Sequence, residues 1–130
     1  MDEPTWEAVK RWLTLVEEDF GAAKTMLRRK GYTRIVCFHA QQCAEKVLKA
    51  FLAAEGIQPE RTHDLVKLVD LCSTRDERFW KFRAIADRLS MYAVAPRYPD
   101  DWREIPLDEA RQAVKMAEEV MRFVKGKLGE

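Results

Sequence analysis

The stretch Phe38-His-Ala-Gln-Gln-Cys-Ala-Glu-Lys-Val-Leu-Lys-Ala-Phe-Leu52 decides the fold expected for this chain. In and just before it, apolar residues recur at spacings of four and three, which places them on one stripe of a helix: Val36, Ala40, Cys43, Val47 and Phe51. Beside that stripe runs a band of hydrogen-bonding side chains covering about two turns: Gln41, Gln42, Glu45, Lys46 and Lys49. The sequence therefore predicts one helix that carries both core residues and polar groups.

Similar apolar periodicity extends to both sides of this helix. Pro4 is suited to a first helical turn, Gly31 and Gly56 to positions just past a helix end, and Pro96 and Pro99 to an irregular connection. Helices are predicted at residues 4–30, 33–55, about 62–72 (opened by the Thr62 hydroxyl), 76–93 and 107–128. Short connections between such segments favour an all-α, antiparallel up-and-down bundle of four long helices plus one short helix.

Composition supports one helical domain over residues 1–130. Hydrophobic residues make up 47% and charged residues 35% of the chain, with only five Gly and five Pro, which argues against a disordered or turn-rich chain. The net charge of +1 gives no overall attraction to a polyanion, and the basic run at residues 28–30 is interpreted as a solvated helix end. No apolar run approaches the roughly 20 residues of a membrane span.

The cysteines and histidines are the first candidates for a metal site: Cys37, His39, Cys43, His63 and Cys72. Cys37 and Cys43 are separated by about 600° of helical rotation, unlike the close ligand pairs of structural zinc sites. Core packing of the thiols is favoured, and neither a metal nor a cofactor is expected. Three cysteines in apolar helical patterns also argue against a disulfide framework, so we expect a reducing, cytoplasmic location and no membrane association.

Acid–base catalysis would require His39 or His63 beside a suitable partner. Arg34 and His39 are separated by about 500° of helical rotation, so the two side chains cannot converge on one phosphate from within their helix. His63 and Asp64 lie at a predicted helix start, where an acidic residue also has a purely structural value.

The segment Arg97-Tyr98-Pro99-Asp100 has two interpretations. It is either a turn in which Tyr98 covers the end of the bundle, or a binding loop. In a binding loop, Arg97 offers a planar fork for phosphate or carboxylate, and Tyr92 or Tyr98 offers a stacking surface for a base.

Taken together, these motifs resemble the small prokaryotic HEPN domain family. The similarity extends over about residues 6–128 and rests on four motifs in order: Gly31-Tyr32, the helix-two motif from Phe38 to Lys49, Thr62-His63-Asp64-Leu65, and Tyr92 followed by Arg97-Tyr98-Pro99-Asp100. The resemblance implies a bundle of four long helices plus a short one, usually a homodimer. It also implies nucleotide or RNA binding, often beside a separately encoded minimal nucleotidyltransferase in a toxin–antitoxin pair.

The resemblance also designates site residues. Gln41, Gln42, Glu45 and Lys49 match the helix-two motif, His63 and Asp64 the short-helix motif, and Arg97, Tyr98 and Asp100 the loop motif. Ribonuclease members of the wider superfamily carry Arg-x4-6-His near the final helix, whereas no histidine follows His63 here.

The sequence therefore favours a non-catalytic, homodimeric HEPN module that binds a nucleotide-like ligand or a nucleotidyltransferase partner. Two alternatives remain open. One is a metal-independent endoribonuclease that uses His63 and Arg97 as its catalytic candidates. The other is a purely structural dimerisation module whose polar band is the interface.

Overall fold

A computed structural model describes residues 1–93 and 102–129, and every element within those ranges is helical. The elements are α1 (Glu3–Leu27), α2 (Thr33–Ala54), α3 (Leu65–Ser73), a 3₁₀ segment (Glu77–Phe82), α4 (Arg83–Ser90) and α5 (Leu107–Leu128). This architecture confirms the predicted all-α bundle. No helix in the described part of the chain is both long enough and apolar enough to span a membrane.

The central element is α2, which packs against α1, α3 and α5. Its predicted apolar stripe is fully buried, because α1 and α5 cover it from two sides: Val36, Ala40, Cys43, Val47 and Phe51. The helix ends at Ala54, and Gly56 follows with a φ of 74°, a left-handed conformation that glycine adopts without steric cost. The predicted second helix and its glycine stop are therefore confirmed.

The predicted fourth long helix differs in length and in form. A 3₁₀ segment begins after Asp76, whose side chain accepts from the amide of Arg78, and becomes α-helical only at Arg83. In a 3₁₀ helix the side chains at positions i and i+3 are eclipsed, so Phe79 and Phe82 both enter the core here. The α-helical part ends at Ser90. Within residues 1–93 and 102–129 the bundle thus has three long helices, and this short composite takes the place of the predicted fourth.

The third helix begins later than the sequence predicts. Asp64, not Thr62, is its N-cap, and the Asp64 carboxylate accepts from the amides of Val66 and Lys67 at 3.0 and 3.3 Å. The hydroxyl of Thr62 accepts from the amide of Asp64, so Thr62 stabilises the turn that precedes the helix. The backbone of residues 62–64 is therefore held in a fixed turn, and His63 lies within it.

Candidate functional site

A buried carboxylate forms the centre of the polar band on α2. Glu45 is only 3% exposed, yet its two oxygens have three donors. Oε1 lies 2.7 Å from Nδ1 of His63 and accepts from Gln41 Nε2 at 3.2 Å, while Oε2 accepts from Lys49 Nζ at 3.0 Å. Gln41 and Lys49 are also buried. The sequence spacing explains the arrangement, since residues 41, 45 and 49 follow each other at one helical turn.

Gln41 and Gln42 complete the network. Gln41 Nε2 also donates to the backbone carbonyl of His63 at 3.3 Å. Helix α2 therefore contacts both the carbonyl and the imidazole of His63 in the turn before α3. Gln42 Nε2 donates to Gln41 Oε1 at 2.6 Å. No buried side-chain nitrogen or oxygen in the described ranges lacks a hydrogen-bond partner, as expected where burying an unpaired polar group is costly. The network is therefore a fixed scaffold.

His63 connects this scaffold to the surface. Its side chain is 64% exposed, whereas that of the Glu45 it contacts is 4% exposed. With Nδ1 directed at the carboxylate, the other ring nitrogen lies on the opposite edge of the imidazole. The arrangement is a histidine oriented by a carboxylate, which in enzymes supports general acid–base chemistry and in metal sites orients a ligand.

Lys46, which the sequence places in the same band, belongs to a different cluster. Its ammonium lies 2.7 Å from Oδ2 of Asp19 on α1, and His39 Nδ1 lies 2.8 Å from Oδ1 of the same carboxylate. Asp19 is 7% exposed and lies one turn from Val16 and Ala23 on the buried face of α1. This cluster connects α1 to α2, on a different side of α2 from Glu45.

A third cluster lies where α4 ends and α5 begins. Glu109 accepts from Arg103 Nη1 at 3.0 Å and Nη2 at 2.6 Å, and the hydroxyl of Tyr92 donates to the same carboxylate. Arg34 reaches this cluster from α2: it donates to the Arg103 carbonyl at 2.9 Å and lies 5.4 Å from the ring centre of Trp102. Arg34 and His39 thus serve separate clusters, in agreement with their spacing around α2.

The third cluster changes the acidity of its members. The Arg103 guanidinium, followed by the Tyr92 hydroxyl, holds the pKa of Glu109 below its usual value, although partial burial opposes this. The pKa of Tyr92 rises because burial and its hydrogen bond to Glu109 favour the neutral phenol. Glu109 is therefore an ionised acceptor and Tyr92 a neutral donor at physiological pH.

Tyr92 and Arg103 lie on either side of residues 94–101. Arg97, Tyr98 and Asp100, which the sequence and the resemblance single out, lie outside the described residues. Because Tyr92 and Arg103 bind one carboxylate, the described residues that flank this segment lie close together. Trp102, next to Arg103, is 57% exposed.

The cysteines pack as the sequence predicts. Cys37, Cys43 and Cys72 are free thiols without exposed surface. Burial raises the pKa of Cys37 to about 11 and the pKa values of Cys43 and Cys72 to about 12, so all three remain protonated. Across residues 1–93 and 102–129, no group of three or more His, Cys, Asp or Glu side chains is placed to hold a metal ion.

The sequence-predicted site residues thus fall into distinct groups. Gln41, Gln42, Glu45, Lys49 and His63 form one connected network, Asp64 caps α3, and Tyr92 belongs to the third cluster. Three charged residues of these clusters lie outside the motifs that the sequence singles out: Asp19, Arg103 and Glu109.

One of these three residues has a signal in the sequence. Asp19 is an acid three residues after Val16 and four before Ala23, so it interrupts the apolar stripe of α1. Glu109 is an acidic residue in the first turn of α5, where it is favourable for the helix dipole alone, and no sequence pattern indicates its contact with Arg103.

This geometry defines a class of protein: a helical bundle with a buried polar network on its second helix. Comparison with known proteins identifies the family. The model of the HEPN domain family matches residues 9–127. This chain belongs to the HEPN domain family.

Similar proteins agree with this assignment. A protein of Methanocaldococcus jannaschii named "Putative toxin MJ1304" is 29% identical over 136 residues, which cover 93% of this chain and 88% of the relative. The crystal structure of ST0689, an archaeal HEPN homologue, superposes with a TM-score of 0.71 at 27% identity, covering 92% of this chain and 96% of that one. The crystal structure of TT1696 from Thermus thermophilus gives a TM-score of 0.72 at 27% identity, with 92% and 97% covered.

Proposed function

We propose that this chain is the homodimeric HEPN component of a toxin–antitoxin-like pair, and that it binds a nucleotide-like ligand and/or a separately encoded minimal nucleotidyltransferase partner. Membership of the HEPN family and the relative named as a toxin support the toxin–antitoxin context. The ligand, the partner and the dimer are inferences from the resemblance together with the site chemistry.

One observation carries the ligand-binding part of this proposal: buried Glu45 holds exposed His63 in a single orientation. Burying a carboxylate and an ammonium is expensive, and a well-packed apolar pair often serves stability equally well. The position of the network supports a further role, because it ends at a surface imidazole instead of closing within the core.

The roles of the site residues follow from their exposure. Gln41, Glu45 and Lys49 have almost no accessible surface within one chain, so they act as positioning residues for His63. Arg97 is assigned to the ligand phosphate, and Tyr98 or Tyr92 to stacking on the base, as the sequence motif suggests. Because Gln41, Glu45 and Lys49 are inaccessible, the proposed homodimer does not use these three residues as contacts.

Ligand binding is tested by isothermal titration calorimetry with ATP, GTP and AMP. We expect binding to wild-type protein and an affinity at least tenfold lower in His63→Asn and in Arg97→Ala. His39→Asn is the matched control, because His39 is the only other histidine and its carboxylate partner is Asp19. If none of the nucleotides binds wild-type protein, the ligand part of the proposal is wrong.

The partner and the dimer require a separate experiment. Native mass spectrometry of the protein purified from its source cell reports the mass of the chain, its oligomer and any retained partner together. We expect a dimer, and a larger complex that contains a nucleotidyltransferase. A monomer with no associated protein would refute this part of the proposal.

A second candidate function, metal-independent RNA cleavage, is favoured by the same contact. With the carboxylate 2.7 Å from Nδ1, the opposite ring nitrogen of His63 is directed away from Glu45, where it can take or give a proton. Cleavage of RNA in the presence of EDTA, lost in His63→Ala and kept in His39→Ala, would establish this activity. Equal residual cleavage in both variants would instead indicate a contaminating nuclease.

A further inference from the structure

Helix α1 carries a second stripe of residues beside the one that packs into the core. Its members recur at alternating steps of four and three residues, the heptad spacing of helices that pair with other helices. They are Ala8, Trp12, Leu15, Asp19, Ala22 and Met26. Val9, Val16 and Ala23 of the first stripe have no exposed surface, whereas Leu15 is 39% exposed and the other apolar members of the second stripe are half-buried. Within the described ranges α1 packs against α2 and α5, and neither helix covers Leu15.

Four neighbouring residues of this surface line a cavity of ≈ 320 Å³. They are Ala8, Arg11, Trp12 and Leu15, which stand at positions i, i+3, i+4 and i+7 of one helix. Where helices pair by knobs-into-holes packing, four residues of one helix form the hole that accepts a side chain of the other. Because all four lining residues come from α1, the cavity suits a side chain from a facing helix.

A second copy of α1 supplies such a side chain. In a two-fold contact, a residue that meets another residue of the copy is met by it in return. When two antiparallel copies are aligned with Leu15 opposite Trp12 of the other copy, each Leu15 enters the cavity of the other. The same alignment sets Ala8 opposite Asp19 and overlaps the two helices over most of their length. Helix α1 has 25 residues and is about 38 Å long, whereas a standard interface of about 800 Å² per partner is about 28 Å across.

The charges of this surface are compatible with its own copy. A surface that presents a single sign of charge to itself repels its copy. Here the carboxylate of Asp19 is neutralised by the ammonium of Lys46 at 2.7 Å. Exposed Arg11 and Glu18 flank the stripe on one edge and have opposite signs. In the antiparallel alignment Arg11 of each copy lies beside Glu18 of the other, which forms two equivalent ion pairs at the rim.

The centre of this contact lies at the end of the bundle opposite residues 94–101. Arg34 contacts the carbonyl of Arg103, close to both ends of that segment. Trp12 instead lies beside Lys49, whose ammonium is 5.7 Å from the ring centre. Lys49 follows Arg34 by 15 residues, or about 22 Å along α2. Eight residues that join two neighbouring ends extend at most about 16 Å from them, so their length does not bring them to Trp12.

We propose that α1 is the dimerisation helix of this protein. Two copies of the chain pair their second stripes in antiparallel orientation about a two-fold axis, and Leu15 of each copy packs in the cavity beside Trp12 of the other. This assignment rests on the proposed homodimer and adds the surface and the register that form it.

Sedimentation equilibrium of the full chain tests the surface. Leu15→Glu places a carboxylate in the cavity of both copies, and burying an unpaired charge is costly, so we expect the dimer dissociation constant to rise about 100-fold or more. Leu107→Glu is the matched control: Leu107, the first residue of α5, is 42% exposed, nearly as Leu15 is, but lies outside α1. Circular dichroism of both variants checks that the helical fold is kept.

The antiparallel register has its own test. Arg11→Glu or Glu18→Arg alone sets like charges side by side at both rim contacts, so each should raise the dissociation constant about 5- to 30-fold. The double variant Arg11→Glu/Glu18→Arg restores opposite charges across the rim. We expect its dissociation constant to return to within about threefold of the wild-type value.

The outcomes distinguish this assignment from the proposed function. If the wild-type protein is a dimer and Leu15→Glu dimerises equally well, the α1 surface is wrong and the proposed homodimer stands. If Leu15→Glu stays dimeric but loses the larger complex with a partner protein, the stripe binds that partner and not a second copy. Loss of the dimer in Leu15→Glu without rescue by the double charge exchange overturns the antiparallel register. A monomeric wild-type protein refutes the homodimer itself.

Discussion

Oε1 of Glu45 lies 2.7 Å from Nδ1 of His63, and this contact joins a buried side chain of α2 to an exposed one in the turn before α3. The turn itself is fixed, since Gln41 holds the His63 carbonyl and Asp64 caps α3. Both the backbone and the ring of His63 are therefore positioned by neighbouring groups. Such pre-positioning is what a binding or proton-transferring histidine requires.

The first prediction concerns the tautomer of His63. An ionised carboxylate only accepts hydrogen bonds, so Nδ1 must carry the proton. We expect neutral His63 to be the Nδ1–H tautomer, read from its ¹⁵N ring shifts at a pH where the imidazole is neutral. The urea-unfolded protein supplies the reference, in which the carboxylate contact is lost. A folded-state spectrum showing Nε2–H would mean that Glu45 does not accept from His63.

The second prediction concerns the buried ion pair between Glu45 and Lys49. Glu45→Leu leaves the ammonium of Lys49 buried without a counter-charge, so we expect the free energy of unfolding to fall by about 3–5 kcal/mol. Adding Lys49→Met should recover most of that loss, because the unpaired charge is removed as well. Urea denaturation followed by circular dichroism measures both variants.

A surface pair provides the control for this cycle. Glu118 pairs with Arg122, whose side chain is 76% exposed, so Glu118→Gln should change stability by less than about 1 kcal/mol. If Glu45→Leu and the double variant lose the same free energy of unfolding, the loss comes from packing and not from the unpaired charge of Lys49.

The long helices were predictable because their apolar spacing is regular and their ends carry glycine or proline. The stripe on α2 and the stop at Gly56 follow from residue types alone. The 3₁₀ segment was not predictable: Phe79 and Phe82 are three residues apart, a spacing that suits both helix types. In the 3₁₀ form, which is the tighter of the two, Phe79 packs against Phe51 and Phe123, with ring centres 4.5 and 5.0 Å away.

The candidate site was predictable only where its contacts are local in sequence. Gln41, Glu45 and Lys49 are one helical turn apart, so a band was visible before the structure was known. The contacts of Glu45 with His63, and of Glu109 with Arg103 and Tyr92, depend on how loops place residues from separate elements. Hydrophobic periodicity carries no information about such contacts.

The third prediction concerns the Asp19 cluster. Asp19→Asn replaces a buried carboxylate that accepts from both Lys46 and His39, so we expect stability to fall by about 1–3 kcal/mol. Differential scanning fluorimetry and urea unfolding measure the loss. Glu18→Gln, on the exposed neighbouring position of α1, is the matched control and should change little. A wild-type-like Asp19→Asn would show that the buried cluster contributes no stability.

The fourth prediction concerns pH. The folded-state pKa of Glu109 is lowered from 4.5, chiefly by Arg103, so its stabilising contribution is fully present above about pH 4.5 and is lost as pH falls through the lower folded value. Arg103→Gln removes the largest part of this contribution. We expect the stability difference between wild-type protein and Arg103→Gln to be constant from pH 7 to 5 and to narrow below pH 4.5.

Urea midpoints measured from pH 7 to pH 3 test this dependence. Arg122→Gln should stay close to the wild-type protein at every pH, because its partner is a surface carboxylate. If the stability difference between wild-type protein and Arg103→Gln instead increases as the pH falls, the role assigned to Glu109 is refuted.

The fifth prediction concerns the thiols. Thiolates are the reactive form of cysteine, and burial raises the pKa of Cys37 to about 11 and those of Cys43 and Cys72 to about 12. We expect none of the three to react promptly with Ellman's reagent at pH 8 in the folded protein, and all three to react in urea. Labelling should then be limited by opening of the bundle, so Asp19→Asn should accelerate it by the factor by which the variant raises the population of the open state, about tenfold for each 1.4 kcal/mol of stability lost. A thiol that reacts rapidly in the native wild-type protein would place that cysteine at the surface, which contradicts the packing around α2.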